Sequence, residues 1–91
     1  MTELARTIEI TNKLGMHARA AAKFVNLAST FNSKVQIEKN GQKVDGKSIM
    51  GVMMLAAAKG TEITLYITGD DAGTCIKDLE SLINNRFDED E

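Results

Sequence analysis

Four stretches of the chain alternate apolar and polar residues, the pattern of a β-strand with one buried face and one face in water. They are residues 6–11, 34–38, 42–45 and 61–68. Asn40-Gly41 separates the second stretch from the third, and this dipeptide strongly favours a tight hairpin turn. We therefore expect four strands, of which the middle two pair directly.

Three other segments carry apolar residues at the spacing of one helix face. The first spans roughly residues 17–30, and the second follows Ser48, a good N-cap, runs for about three turns and closes at Lys59-Gly60. Gly69-Asp70-Asp71 supplies a turn and a capping carboxylate before the third. The inner faces are Ala21, Phe24, Val25, Ala28 and Phe31; Val52, Leu55 and Ala56; and Ala72, Cys75, Ile76, Leu79, Leu82 and Ile83.

The element order is therefore β-α-β-β-α-β-α. Because every strand has one apolar face, we predict an α+β fold in which a four-stranded, mainly antiparallel sheet carries all three helices on one side. A length of 91 residues allows a single domain, residues 1–91. The acidic end of the chain, including Phe87, is expected to be a solvated tail, frayed over residues 88–91.

Composition and charge argue against several classes of function. The net charge of -2 and the four percent of aromatic residues do not favour nucleic acid as a partner. One histidine and one cysteine, Cys75, cannot build an ordinary zinc site, so no metal and no cofactor are expected. The N-terminus does not resemble a secretory signal, and no apolar run is long enough to enter a membrane. The cytoplasm is the expected location.

The sole histidine, His17, lies just before the first helix and follows Gly15, a plausible turn residue. At a helix N-terminus, free amide groups and the helix dipole favour the neutral, nucleophilic ring and a nearby anion. Histidine can carry a covalent phosphoryl group, and the guanidinium of Arg19 could hold its oxygens. From this triplet alone, a plain surface or capping histidine is the favoured interpretation, and a phosphoryl-carrying role needs further evidence.

The second helix is apolar nearly all round. If its inner seam is Val52, Leu55 and Ala56, then Ile49, Met50 and Met53 lie on a different side of the helix, with Met54 as a further candidate. A domain of this size has no further element to cover that side. Methionine adapts to different partners, which favours a protein-docking surface. The alternative is that the seam is misphased and that these residues belong to the core.

Residues 41–48 match the phosphate-binding loop pattern G-x-x-x-x-G-K-[ST]. The context argues against nucleotide binding, because Gly41 is needed for the hairpin and Val44 for a strand, and no buried parallel strand precedes the segment. Ser48 is either a structural cap or an exposed hydroxyl whose phosphorylation would place negative charge beside Ile49 and Met50.

The chain resembles the HPr family, the histidine-containing phosphocarriers of the bacterial sugar phosphotransferase system. The resemblance extends from Thr7 to about Phe87, and its most specific parts are residues 15–19 and 47–53. It implies an open-faced β-sandwich. It also implies that Nδ1 of His17 takes a phosphoryl group from enzyme I, which is charged by phosphoenolpyruvate, and passes it to an enzyme IIA domain.

The same resemblance assigns further roles. Arg19 matches the active-site arginine, and Ser48 matches the serine phosphorylated by HPr kinase/phosphorylase. The matching docking surface is Ile49, Met50 and Met53, to which we add Lys23 and Ala20. The protein would be a carrier rather than an enzyme, and a monomer.

One position departs from the family pattern: Ala20 stands where the family usually has proline. Alanine is an excellent helix former, so the first helix should survive, and the departure bears on the placement of Arg19 and on the transfer rate. Three alternatives stay open. They are a nitrogen-related paralogue (NPr-like), a regulatory module that docks through Met50 and Met53 without histidine phosphorylation, and, remotely, a small nucleotide-binding protein.

Overall fold

A computed structural model describes residues 2–89 of the chain. The strands are β1 (Thr2–Glu9), β2 (Lys34–Lys39), β3 (Gln42–Asp45) and β4 (Glu62–Gly69), and the helices are α1 (Ala18–Ala28), α2 (Ile49–Met54) and α3 (Ala72–Asn84), followed by a 3-10 turn at Arg86–Asp88. Within this described range, no helix is both long enough and apolar enough to span a membrane.

All strand pairs are antiparallel, and the sheet order is β1-β4-β2-β3. β4 lies between β1 and β2. Its alternating residues face opposite sides of the sheet: Ile63, Leu65 and Ile67 are all buried, and the residues between them lie on the other face. The predicted α+β fold, with three helices on one face of an antiparallel sheet, is confirmed.

The core lies between this sheet face and the helices. α3 contributes the buried face predicted from its apolar spacing, except that Leu82 is only partly buried. Cys75 belongs to this core, and burial raises the pKa of its thiol to about 11. A thiol that stays protonated is a poor nucleophile, which agrees with the interpretation of Cys75 as a packing residue.

β1 begins earlier than the alternation predicted. Its whole length pairs with β4, from Thr2 opposite Gly69 to Glu9 opposite Glu62. Residues 2–5 lack a clear alternating pattern, so their strand conformation depends on this pairing with a distant part of the chain. Residues 10 and 11, which the pattern placed inside the strand, already belong to the connection towards α1.

α2 is shorter than the predicted three turns. It ends at Met54, and its C-cap is Leu55; the amine of Lys39 donates to the carbonyl oxygens of Leu55 and Ala56 at 2.9 and 3.2 Å. Ala56 then takes a left-handed backbone with φ of 49°. The prediction of Ala56 as part of the inner seam is wrong: Ala56 is exposed, and Ala57 is buried in its place.

The sequence predicted a capping carboxylate from Gly69-Asp70-Asp71, but Asp71, the N-cap of α3, makes no side-chain hydrogen bond to the helix. Its carboxylate accepts hydrogen bonds from the hydroxyl and amide of Ser33 and from the amide of Asn32, the last two at 2.9 and 2.8 Å. These hydrogen bonds hold the pKa of Asp71 below its ordinary value, and the bond from the Ser33 hydroxyl has the largest effect. The carboxylate therefore ties the start of α3 to the connection between α1 and β2.

The C-terminal segment differs most from its prediction. Phe87 is completely buried rather than part of a solvated tail. Three consecutive residues, Arg86, Phe87 and Asp88, have positive φ angles between 53° and 64°, so the chain reverses sharply after α3. Asp88 and Glu89 continue in hydrogen-bonded turns. Residues 90 and 91 lie outside the described range.

Candidate functional site around His17

The connection between β1 and α1 is held against the segment that follows α2. Gly15 has a φ of 67°, and a Cβ atom there would lie only 2.6 Å from the carbonyl oxygen of Ala57. The next amide, of Met16, donates to that same oxygen at 2.8 Å. Only glycine combines this backbone angle with this close approach. The predicted turn at Gly15 therefore fixes where α1 begins.

His17 is the N-cap of α1, and its extended backbone leads directly into the helix. Its Nδ1 accepts a hydrogen bond from the amide of Arg19 at 3.2 Å, and its Nε2 contacts a carboxylate oxygen of Glu89. A neutral imidazole has one protonated nitrogen, and the one that accepts must be unprotonated. Nε2 therefore carries the hydrogen and donates it to Glu89, and Nδ1 keeps its lone pair beside the start of the helix.

The other amides of the first turn lie at the same end of the helix as this lone pair. The first amide that reaches back along the helix is that of Ala21, which donates to the carbonyl oxygen of His17 at 2.8 Å. The amides of Ala18, Arg19 and Ala20 precede it and have no carbonyl partner within the helix. Together with the helix dipole, they favour an anion at this position. Arg19 is exposed, and its guanidinium forms no ion pair within residues 2–89.

Two residues at this site were not foreseen from the sequence. Asn12 is completely buried, and its side-chain amide donates to the carbonyl oxygen of Gly15 at 2.8 Å and to a carboxylate oxygen of Glu89 at 2.9 Å. Burial alone would raise the pKa of Glu89, but the hydrogen bonds from Asn12 and His17, with the nearby charge of Lys23, lower it below its ordinary value. Glu89 is therefore a carboxylate near neutral pH.

Two residues of the predicted docking surface face inward or are engaged within the chain. Ala20 is completely buried, because α1 turns it towards the core with Ala21 and Phe24. The prediction that Ala20 contacts partners is therefore wrong. The amine of Lys23 donates to the carbonyl oxygen of Phe87 at 2.7 Å and so holds the C-terminal turn against α1.

α2 carries the exposed apolar surface that its sequence predicted. Four of its residues are between 39% and 72% exposed, and we call them the α2 patch: Ile49, Met50, Met53 and Met54. Val52 on the opposite side is completely buried, so the alternative of a misphased seam is excluded for these four. Leu14 is also 69% exposed, an apolar residue that the sequence analysis did not single out.

Ser48 is the N-cap of α2. Its hydroxyl oxygen accepts a hydrogen bond from the amide of Gly51 at 3.1 Å, as expected for a serine cap. The side chain is partly exposed, and it directly precedes the α2 patch. The structure therefore supports the capping role and leaves the hydroxyl close to solvent.

A comparison with protein-family models matches residues 4–85 to the PTS-HPr model, described as the PTS HPr component phosphorylation site. The chain belongs to the HPr family. Among HPr relatives, it is 54% identical over 88 residues to the phosphocarrier protein HPr of Neisseria meningitidis serogroup A, covering 97% of this chain and 99% of that protein. The family resemblance seen in the sequence is confirmed, and the chain is an HPr phosphocarrier of the phosphotransferase system.

Solved structures of HPr proteins share the fold. The crystal structure of HPr-C-His from Thermoanaerobacter tengcongensis matches with a TM-score of 0.91 and 47% identity, covering all of both chains. The Crh protein of Bacillus subtilis, whose structure is described as a dimer with a swapped domain, matches at a TM-score of 0.74 and 43% identity, covering 87% of this chain and 91% of that one.

The phosphate-binding loop pattern does not form such a loop in this HPr fold. Residues 42–45 pair with β2 as strand β3. The amine of Lys47, which would have to reach a phosphate, donates instead to the carbonyl oxygen of Phe31 at 2.8 Å. The antiparallel sheet also lacks the buried parallel strand that leads into such loops.

Proposed function

We propose that this HPr chain carries a phosphoryl group on Nδ1 of His17, accepting it from enzyme I charged by phosphoenolpyruvate and delivering it to enzyme IIA domains in the cytoplasm. The observation that carries the proposal is that Nδ1 of His17 accepts from the Arg19 amide at the N-terminus of α1, on a side chain that is 28% exposed. A nucleophilic atom at a protein surface is accessible to successive large partners.

The transfer step needs no proton to leave the ring. The lone pair of Nδ1 forms a bond to phosphorus, and the bond between phosphorus and the donor breaks with its electron pair staying on the donor atom. The hydrogen on Nε2 remains in place. The Arg19 amide, which now donates to Nδ1, becomes available to a phosphoryl oxygen, and the amides of residues 18 and 20 lie in the same turn.

Arg19 is proposed to hold the phosphoryl oxygens through its guanidinium, which is exposed and close to His17 along the chain. The test is phosphorylation by purified enzyme I and phosphoenolpyruvate of the wild-type chain, His17→Ala and Arg19→Gln. We expect acid-labile phosphate on the wild type, none on His17→Ala and slower labelling of Arg19→Gln. Equal labelling of the wild type and His17→Ala would contradict the proposal.

Docking is proposed to use the α2 patch, because its four apolar side chains are exposed on one short helix. The change Met50→Asp places a charge in the patch and should raise the KM of enzyme I for the carrier. Thr74→Asp, on the exposed side of α3, is the matched control. Equal effects of the two variants would argue against docking at α2.

Ser48 is proposed as a regulatory site for HPr kinase/phosphorylase. Its hydroxyl is partly exposed at the N-terminus of α2, and a phosphate there would add close to two negative charges next to Ile49 and Met50. The kinase should therefore add acid-stable phosphate to the wild type but not to Ser48→Ala. Retention of that phosphate in Ser48→Ala would exclude the assignment.

The protein is proposed to act as a monomer. β1 pairs along its full length with β4 of the same chain, so this pairing does not require a strand from a second copy. Light scattering after size exclusion should give the monomer mass at micromolar concentration. A stable dimer, as described for the related Crh protein, would overturn this point.

A further inference from the structure

We propose that Glu89 is a positioning residue for His17: it holds the ring hydrogen on Nε2, so that the lone pair of Nδ1 faces the incoming phosphoryl group, and Asn12 holds Glu89 in place. This inference rests on the proposed function of His17 and assigns a role to a residue that the family motifs do not include.

Both oxygens of the Glu89 carboxylate are engaged. One accepts from the side-chain amide of Asn12 at 2.9 Å, and the other accepts from Nε2 of His17. The Glu89 side chain is only 14% exposed, so water competes little for these bonds. Because the side chain of Asn12 is completely buried and also bonded to the carbonyl oxygen of Gly15, the support behind the carboxylate is rigid.

The fold brings Glu89 to this place from the far end of the chain. Phe87 is buried as an anchor, and the left-handed turn at Arg86–Asp88 reverses the chain towards α1. The amine of Lys23 holds the carbonyl oxygen of Phe87. Within α1, the charged amine of Lys23 acts on Glu89 and favours its ionised form, as does the hydrogen bond from His17 at the N-cap.

The chemistry follows from the charge of the ring. When Nδ1 gains phosphorus while Nε2 keeps its hydrogen, the ring becomes positively charged. A carboxylate bonded to Nε2 stabilises that charge and also fixes which nitrogen is the nucleophile, as the carboxylate of a serine protease triad does for its histidine. Removal of the carboxylate should therefore slow the transfer without changing how tightly the partner binds.

The test compares the wild type with Glu89→Ala, Glu89→Gln and Asn12→Ala. Asp88→Asn is the matched control, since it neutralises the neighbouring carboxylate, which is exposed and bonded to Asn85. First, NMR of the unphosphorylated chain follows the Nε2 hydrogen of His17. It should exchange slowly with water in the wild type and in Asp88→Asn, and rapidly in Glu89→Ala and in Asn12→Ala.

Second, the steady-state rate with enzyme I is measured for each variant as substrate. We expect kcat to fall about tenfold in Glu89→Ala, with KM unchanged, since one hydrogen bond to a charged group is lost. Glu89→Gln keeps a hydrogen-bond acceptor but loses the charge. The Nε2 hydrogen of His17 should therefore still exchange slowly, and kcat should lie between the values of the wild type and of Glu89→Ala.

The two proposals fail in different ways. If the wild-type histidine takes no phosphate, the proposed function is wrong, and the NMR experiment still decides whether Glu89 holds the ring. An unprotected Nε2 hydrogen in the wild type, an unchanged kcat in Glu89→Ala, a change confined to KM, or an equal effect in Asp88→Asn would each overturn the role of Glu89.

Discussion

The buried side chain of Phe87 anchors the C-terminal turn, and its truncation gives a quantitative test of the fold. Phe87 is completely buried in a turn that packs against α1 and α3. Replacing a fully buried phenylalanine by alanine costs about 3–5 kcal/mol. A domain of this size has a total stability of about 5–15 kcal/mol, so Phe87→Ala should remove a large part of it.

Urea unfolding followed by far-ultraviolet circular dichroism measures this change. With a denaturant dependence of about 1–3 kcal/mol/M, the midpoint should fall by at least about 1 M. Phe24→Ala, an equally buried phenylalanine in α1, should behave similarly, and Leu14→Ala, at a mostly exposed position, should stay within about 0.5 kcal/mol of the wild type. A loss below about 1 kcal/mol in Phe87→Ala would refute the buried anchor and support a solvated tail.

Three further predictions concern other parts of the fold. Gly69→Ala should destabilise the chain by more than about 1 kcal/mol in thermal unfolding, because its Cβ would lie 2.4 Å from the Ser33 hydroxyl oxygen at a φ of 152°; an unchanged melting temperature would contradict this. Ser48→Ala should lose about 1 kcal/mol by removing the cap on Gly51, whereas Ser48→Asp should keep the cap and weaken partner binding; equal stability of the three chains would argue against the cap. Because the pKa of Asp71 is lowered in the folded chain, its hydrogen bonds stabilise the fold at pH values above 3.8, the pKa of the unfolded chain, and this stability is lost as the pH falls through the lower pKa of the folded chain. Asp71→Asn should therefore weaken the dependence of the unfolding free energy on pH in the acid range. An unchanged dependence would exclude the contribution of Asp71.

Most of the fold could be predicted from local patterns. Alternation located the four strands, and the Asn40-Gly41 turn paired β2 with β3. The errors arose where a distant group decides the local structure. The amine of Lys39 binds the carbonyl oxygens at the end of α2, the backbone of β4 pairs with the early part of β1, and Ser33 binds the Asp71 carboxylate. None of these partners is visible in the pattern of the element that it changes.

The site divides in the same way. The placement of His17 at the start of α1 follows from Gly15 and the apolar spacing after it, and the structure has the same arrangement. The contact between His17 and Glu89 joins residues 72 positions apart, and nothing in an acidic terminus indicates it. Phe87 was the available signal, because a large aromatic residue within an acidic segment favours an anchored rather than a solvated end.

The most direct test of the account is the position of the phosphate after the chain is incubated with enzyme I and phosphoenolpyruvate. Phosphorus and nitrogen NMR should place an acid-labile phosphoryl group on Nδ1 of His17 while Nε2 keeps its hydrogen. Phosphate on Nε2, or on another residue, would contradict the geometry at the start of α1.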